Sequence, residues 1–365
     1  MDSEAPKTAT QFSARFTRRR TLAVGGGVAL GAVLGPVAML DRARAASKTL
    51  TVEIASGTVG SCYREAYLQP FERETGIEVL TVPENYNDSK FKLAANSHNY
   101  IADVMYVETF LPYSPDAAKY LEPIDYSVIN REELIPELAQ TYTVADGTYA
   151  TTLGYNTEKT GGRIPIGWVD FFDVQKFPGK RGVNNDALQM PIVALLADGV
   201  DPKDLVPLDF DRAFKKLDTI RKEMVFFSGG AQAQDLLSSG ETPLSVSYAS
   251  RVVAARADGK PVAQVWNGFL VVGNTWAIPK GNPNKETAMK YLAFVLSRKI
   301  NARISSCSVT SPSNKYSKIE SKWEDDLPFR HLDKPHILLN SPQIASWIGS
   351  HQAEINERYQ HWKAG

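Results

Sequence analysis

The sequence predicts an α/β protein built from two units, and three observations carry that expectation. Near the start, strand and helix patterns alternate: residues 49–54, 77–82 and 102–107 read as strands, and 62–75 and 88–96 read as helices. Strand and helix trading places at this spacing signals a sheet with parallel strands covered by helices. About 320 residues follow an N-terminal leader, more than one hydrophobic core usually holds. Two extended runs, 148–156 and 269–278, are placed to carry the backbone from one unit to the other and back.

Each element has a local cause. Residues 49–54 (TLTVEI) alternate and are β-branched, as a half-buried strand requires. A Gly/Ser/Thr turn at 56–61 separates them from the helix at 62–75, which Gly76 stops as a C-terminal cap. Asp88 is placed to cap the helix at 88–96. Further along, 168–172, 190–197, 211–222, 232–239 and 251–257 read as helices. Residues 225–227, 244–248 and 262–266 read as strands. In 284–297, Ala288, Tyr291, Leu292 and Val295 recur at helical spacing. The end of the chain is helical over 342–347 and 353–362.

The first forty-five residues read as an export address. Arg18, Arg19 and Arg20 precede a glycine-diluted apolar run at 22–40, and Ala43-Arg44-Ala45 closes it as a small-x-small cleavage site. Thr17-Arg18-Arg19 with Leu22 has the look of a twin-arginine signal, which exports folded proteins. A periplasmic, soluble protein beginning near Ala46 is expected, since no later stretch has the apolar length of a spanning helix. Lysine plus arginine and aspartate plus glutamate balance at 41 each. That balance argues against a nucleic-acid partner, which calls for a basic surface.

Cys62 and Cys307 are the only cysteines. In an oxidising compartment such a pair can form a disulfide, closing a very long loop. Two buried thiols fit as well, and the sequence leaves the choice open.

No enzyme motif emerges. Ser56-Gly57-Thr58-Val59-Gly60 is only loosely like a nucleophile elbow, and no phosphate-binding glycine loop and no His-Glu-x-x-His is present. His331, Asp333 and His336 are close in sequence, but their spacing matches no established ligand set and Pro335 would break a helix presenting them. Neither catalysis nor a cofactor or metal is expected.

Several stretches together resemble the extracellular solute-binding proteins of ABC importers, in the branch that holds spermidine- and putrescine-binding proteins. They are Ala55 to Ala66 followed by Pro70 to Val79, then Ala102-Asp103-Val104-Met105, Leu236 to Gly240, and Tyr248-Ala249-Ser250-Arg251. The run Pro261 to Trp266, continuing through Asn274 to Gly281 and Pro283 to Tyr291, is the most specific. The resemblance implies a two-lobed periplasmic binding protein fold of type II, with mixed and parallel sheets flanked by helices and a hinge of crossing strands. It also implies a ligand in the interlobe cleft, an inner-membrane ABC permease as partner, and a monomer. One lobe would comprise 46–150 with about 275–315, the other 151–274 with about 316–365.

In the same family, carboxylates hold ammonium groups and aromatics sandwich the spacer between them. The resemblance places Ser56, Gly57 and Thr58 on the first binding loop, Glu108 and Phe110 on the loop after the third strand, and Asp186, Tyr248, Arg251, Asn274 and Trp276 deeper in the cleft. Gln189 and Asn274 stand as amides where relatives carry acids, and Val272 replaces an aromatic. Arg251 matches an arginine that some relatives use for a carboxylate, and a guanidinium pairs with a carboxylate bidentately. With Asp186 or Glu108 it would suit a zwitterion such as an amino acid, alongside a plain amine or polyamine. Competing assignments are open: helix caps for Glu108 and Asp186, core for Trp276, and a helix-entry turn for Ser56 to Thr58. The alternatives for the whole chain are a secreted α/β hydrolase, a ferric-iron clamp, for which the usual adjacent tyrosines are missing, and a ligand sensor for a membrane receptor.

Overall fold

A computed structural model describes residues 49–84, 88–107 and 110–365. The expected signal peptide, Glu108 and the side chain of Thr58 lie outside the described residues. The chain enters on β1 (Thr49–Ile54), then runs through α1 (Gly57–Tyr63), a π-helical stretch (Arg64–Leu68) and α2 (Gln69–Thr75) without a break. Helix thus begins at Gly57, inside the segment expected to be a turn. Gly76 ends it with φ 69°, a left-handed conformation that costs glycine nothing. Next come β2 (Glu78–Pro83), α3 (Ser89–Ser97), β3 (Met105–Tyr106), α4 (Ala117–Tyr120) and β4 (Val144–Asn156). The middle of the chain forms α5 (Trp168–Phe172), β5 (Arg181–Asn184), α6 (Gln189–Ala197), α7 (Phe210–Asp218), β6 (Met224–Phe227), α8 (Gly230–Ser239), β7 (Leu244–Tyr248) and α9 (Ala249–Ala257). The last part is β8 (Val262–Ala277), α10 (Lys285–Val295), α11 (Arg298–Asn301), β9 (Ser311–Pro312), β10 (His336–Leu338) and α12 (Pro342–Ala364). The two helices expected at the end of the chain are one, and the two strand-like runs at 262–278 are the single strand β8.

Strand pairing is mixed. β1 and β2 are parallel, as are β5 with β6, β5 with β7 and β8 with β10. β4 runs antiparallel to β7, β8 and β9, and β3 antiparallel to β8. The larger sheet is ordered β10-β8-β4-β7-β5-β6.

β4 and β8 connect two separate apolar cores. One core holds Val52, Tyr67, Phe71, Val144, Trp276 and Leu292; the other holds Leu153, Phe171, Ile192, Val246, Leu270 and Tyr359. β4 therefore leaves the first core and ends in the second, and β8 returns. These are the crossing strands that the extended runs predicted. Their pairing slips twice, between Ala145 and Thr148 and again between Thr151 and Leu153. Ala145 faces Thr275 and Thr148 faces Gly273, so Asp146 and Gly147 stand against Asn274 alone. This is a β-bulge, which bends a strand and re-aims its side chains. A Cβ on Gly147 would lie 2.4 Å from the carbonyl oxygen of Ser311, so the bulge can form only with glycine there.

Cys62 and Cys307 form a disulfide, which settles the choice the sequence left open. Both halves pack on the first core, so the bond braces that core internally and does not join the two. In the second core, the fully buried Arg181 guanidinium donates to the carbonyl oxygens of Phe171, Asp173, Phe177 and Gly179. Burial lowers its pKa to about 10, so it stays cationic at neutral pH while four carbonyl dipoles replace its water.

Candidate ligand-binding site

The strand register brings one set of candidates together. Tyr149 of β4 pairs with Val272 of β8, Thr151 pairs with Leu270 on one side and Tyr248 on the other. Directly opposed residues point to the same face of a sheet, as do residues two apart. Tyr149, Thr151, Tyr248, Val272 and Asn274 thus rise from one face where the strands cross. The Tyr149 and Tyr248 rings meet edge to face at 6.0 Å, and both are half-exposed. Asn184, the last residue of β5, reaches the Tyr248 hydroxyl from its amide nitrogen at 3.5 Å.

Arg251 follows in the first turn of α9 and is half-exposed. Its side chain lies against the start of α8, where a Cβ on Gly230 would come within 2.9 Å of Nε. Among the described residues no carboxylate pairs with it, and its side chain makes no hydrogen bond. A cation in the first turn opposes the helix dipole, which is positive at that end. Arg251 is therefore electrostatically unsatisfied in a way that an anion placed there would relieve.

Asp186 behaves differently from the expectation that it faces an ammonium group. Its Oδ1 accepts the backbone N–H groups of Leu188 and Gln189 at 2.8 and 2.9 Å, and its Oδ2 accepts Gln189 Nε2 at 2.9 Å. The carboxylate closes the turn that leads into α6, whose N-cap position is Leu188, so its role is local and close to the cap expected as the alternative. Trp276 requires correction as a ligand contact. It is fully buried, with ring centroids of Tyr63, Tyr106 and Tyr291 at 5.8, 5.7 and 5.8 Å. Aromatic neighbours enclose it on several sides, so its ring is core and is not offered to a solute. Phe110 is corrected likewise: it is buried with the second core, and its carbonyl oxygen lies close against Gly349 of α12.

On the other side of the crossing, Ser56 and Gly57 are exposed at the start of α1, with Gly57 at φ 68°. Asn274 is half-exposed between buried neighbours, and its Nδ2 donates to the Tyr63 hydroxyl at 3.0 Å. Tyr63, Tyr149 and Asn184 were not singled out from sequence. Tyr149 was within reach, because it stands two before Thr151 in a recognised crossing strand. Tyr63 was not, because it reads as one more buried helix position.

The sequence and the fold are matched elsewhere. Residues 66–329 fit the model of the bacterial extracellular solute-binding protein family. The chain belongs to that family. A γ-aminobutyric acid-binding protein of Pseudomonas aeruginosa is 33% identical over 271 residues, covering 71% of this chain and 75% of that one. A spermidine/putrescine-binding periplasmic protein of Haemophilus influenzae is 25% identical over 248 residues, covering 64% and 68%. Among solved structures, a GABA receptor superposes with a TM-score of 0.79 at 32% identity, covering 86% of this chain and 97% of its own. A binding protein of A. tumefaciens R10 in complex with agropinic acid gives 0.74 at 26%, covering 87% and 99%. The architecture is that of periplasmic binding proteins, α/β with mixed sheets flanked by helices.

Proposed function

We propose that this protein captures a small zwitterion of the γ-aminobutyric acid type in the cleft at the crossing strands and hands it to an ABC permease, working in the periplasm after export. Arg251 carries this reading. It is half-exposed, lacks a carboxylate partner among the described residues, and sits at the wrong end of a helix for a cation. A ligand carboxylate would complete it with a bidentate, charge-assisted pair. The Tyr149 and Tyr248 rings would cover the aliphatic spacer, and an ammonium group can also rest on their faces.

Two relatives whose names carry γ-aminobutyric acid share about a third of their residues with this chain, which supports an ω-amino acid over a plain polyamine. Asn274 fits it too, because an amide oxygen there can accept from one ammonium group, whereas the Arg251 cation would repel a second. The lobes would be 46–150 with about 275–315, and 151–274 with about 316–365, each built round one of the two cores. Membership of a solute-binding family disfavours a hydrolase, and relatives named for γ-aminobutyric acid and polyamines give an iron clamp no support.

A thermal-shift screen tests the reading. A ligand that binds only the folded state stabilises it by about 2.7 kcal/mol at a hundredfold excess over its dissociation constant. The expected order is γ-aminobutyric acid and similar zwitterions first, then simple carboxylates, then diamines. A screen in which diamines shift the transition and zwitterions do not would reject it.

A further inference from the structure

Behind Asn274 lies a group that the binding face does not use. Asp146, one of the two residues in the bulge opposite Asn274, is fully buried, and neither carboxylate oxygen has a hydrogen bond of ordinary geometry. Shared partners bring Tyr63 on α1 and Tyr67 on the π-helical stretch to it: Asn274, opposite Asp146 in the bulge, donates to the Tyr63 hydroxyl at 3.0 Å, and Asn301 Nδ2 donates to the Asp146 carbonyl oxygen at 2.6 Å and to the Tyr67 hydroxyl at 3.3 Å. Both hydroxyls, and that of Tyr291 on α10, are electrostatic neighbours of the carboxylate. These phenols are the titratable neighbours of the carboxylate, and burial with the nearby negative charge holds all three well above the usual phenol range.

Proton direction follows from what each group can do. Asn301 Oδ1 accepts the backbone N–H of Asn314 at 2.8 Å, and that group can only donate. The Asn301 amide is therefore fixed, and its Nδ2 points at the Tyr67 hydroxyl at 3.3 Å. Tyr67 accepts there, which leaves its own proton for Asp146. Tyr63 repeats the pattern with Asn274 in place of Asn301. It has one proton, and the unsatisfied carboxylate is a stronger acceptor than the neighbouring Tyr106 hydroxyl. Once Tyr63 donates inward, it can only accept from Asn274. The Asn274 amide must then turn its N–H to Tyr63, and its carbonyl oxygen, which accepts from no described group, is left to the solute side.

We propose that Asp146 and Tyr63 are positioning residues that fix the Asn274 amide with its carbonyl oxygen toward the cleft, as the acceptor for a solute's ammonium group. This rests on the zwitterion reading above and gives it a device for the cationic end. Loss of the Asp146 charge frees the Tyr63 proton, the amide can turn over, and the site then offers an N–H that repels a cation.

Calorimetric titration of the protein with γ-aminobutyric acid and with butanoate, which lacks the ammonium group, tests the chain. Tyr63→Phe is expected to weaken γ-aminobutyric acid about fivefold to tenfold, the worth of one hydrogen bond. It should leave butanoate unchanged and add nothing to Asn274→Ala. Tyr106→Phe should have no such effect. Wild-type affinity for γ-aminobutyric acid should fall as pH drops below about 7, where neither solute group titrates, and Asp146→Asn should flatten that profile. Equal losses for both solutes, additivity with Asn274→Ala, or an unchanged pH profile in Asp146→Asn would overturn the proposal. If wild type binds neither solute, the functional reading fails, and nitrogen NMR of the ligand-free protein still decides the chain. The Asn274 side-chain amide should shift as Asp146 titrates and cease to do so in Tyr63→Phe; an amide indifferent to pH in wild type would refute the coupling.

Discussion

The Thr151 hydroxyl donates to Gln189 Oε1 at 3.0 Å, both groups buried, and so ties a crossing strand to the entry of α6. Gln189 passes the constraint on through its amide nitrogen to Asp186. A loop beside the candidate binding face is thereby fixed by a chain of three side chains. Thr151→Val keeps the shape and removes the donor, leaving a buried carbonyl oxygen unsatisfied. The expected cost is about 1–3 kcal/mol in urea unfolding, with the Asp186 backbone hydrogen bonds kept.

Arg251→Ala should weaken carboxylate-bearing solutes by about a hundredfold, in line with about 2–3 kcal/mol for a charge-assisted pair. Arg251→Lys should recover part of this, because an ammonium keeps the charge and loses the bidentate fork. Thermal stability without ligand should hold or rise in Arg251→Ala, since the cation opposes the α9 dipole. Calorimetry and a melting curve on the same samples read both effects.

Reducing the Cys62–Cys307 disulfide closes off one source of stability without touching the proposed binding face, because both residues pack on the first core. Serine at both positions is expected to cost about 2–4 kcal/mol of stability. Affinity for the solute, measured at a temperature where the variant is folded, should not change.

Burial raises the Asp146 carboxyl from an ordinary 3.8 to about 7, against the lowering effect of the Tyr63 and Tyr67 hydroxyls. Between those values the unfolded chain is ionised at this site while the folded one keeps its proton. The folded state binds more protons there, so stability declines as pH rises, by up to about 1.4 kcal/mol per unit from this group. Asp146→Asn should remove that decline from the difference between stability at pH 5 and at pH 7.5, measured by chemical unfolding.

Much of the fold was legible because local signals agreed with tertiary need. β1 and β7 fall on the expected residues, and Gly76 and Gly240 cap their helices as glycines with positive φ. The early helix start at Gly57 was hidden by glycines and a serine that read as a turn. Continuity of β8 was hidden by Asn267-Gly268, a turn-like pair, with Gly268 at φ 76°, that the sheet accommodates within a strand. Of the candidates that the resemblance gave, Arg251, Tyr248 and Asn274 are half-exposed at or beside the crossing strands, whereas Trp276 and Phe110 carried a plausible residue type on a buried side. Side-chain direction along an extended crossing depends on its register, and the bulge at Asp146 and Gly147 resets that register without a mark in the local pattern. Asp146 itself reads as an ordinary polar strand residue until the tyrosines of α1, the π-helical stretch and α10 close over it.

The most direct measurement is calorimetric titration of the purified protein with γ-aminobutyric acid, putrescine and spermidine side by side. The account predicts saturable heat with γ-aminobutyric acid, weakened about a hundredfold in affinity by Arg251→Ala, and weak or no heat from the two polyamines. Tight binding of putrescine or spermidine that survives Arg251→Ala, with none of γ-aminobutyric acid, would contradict it.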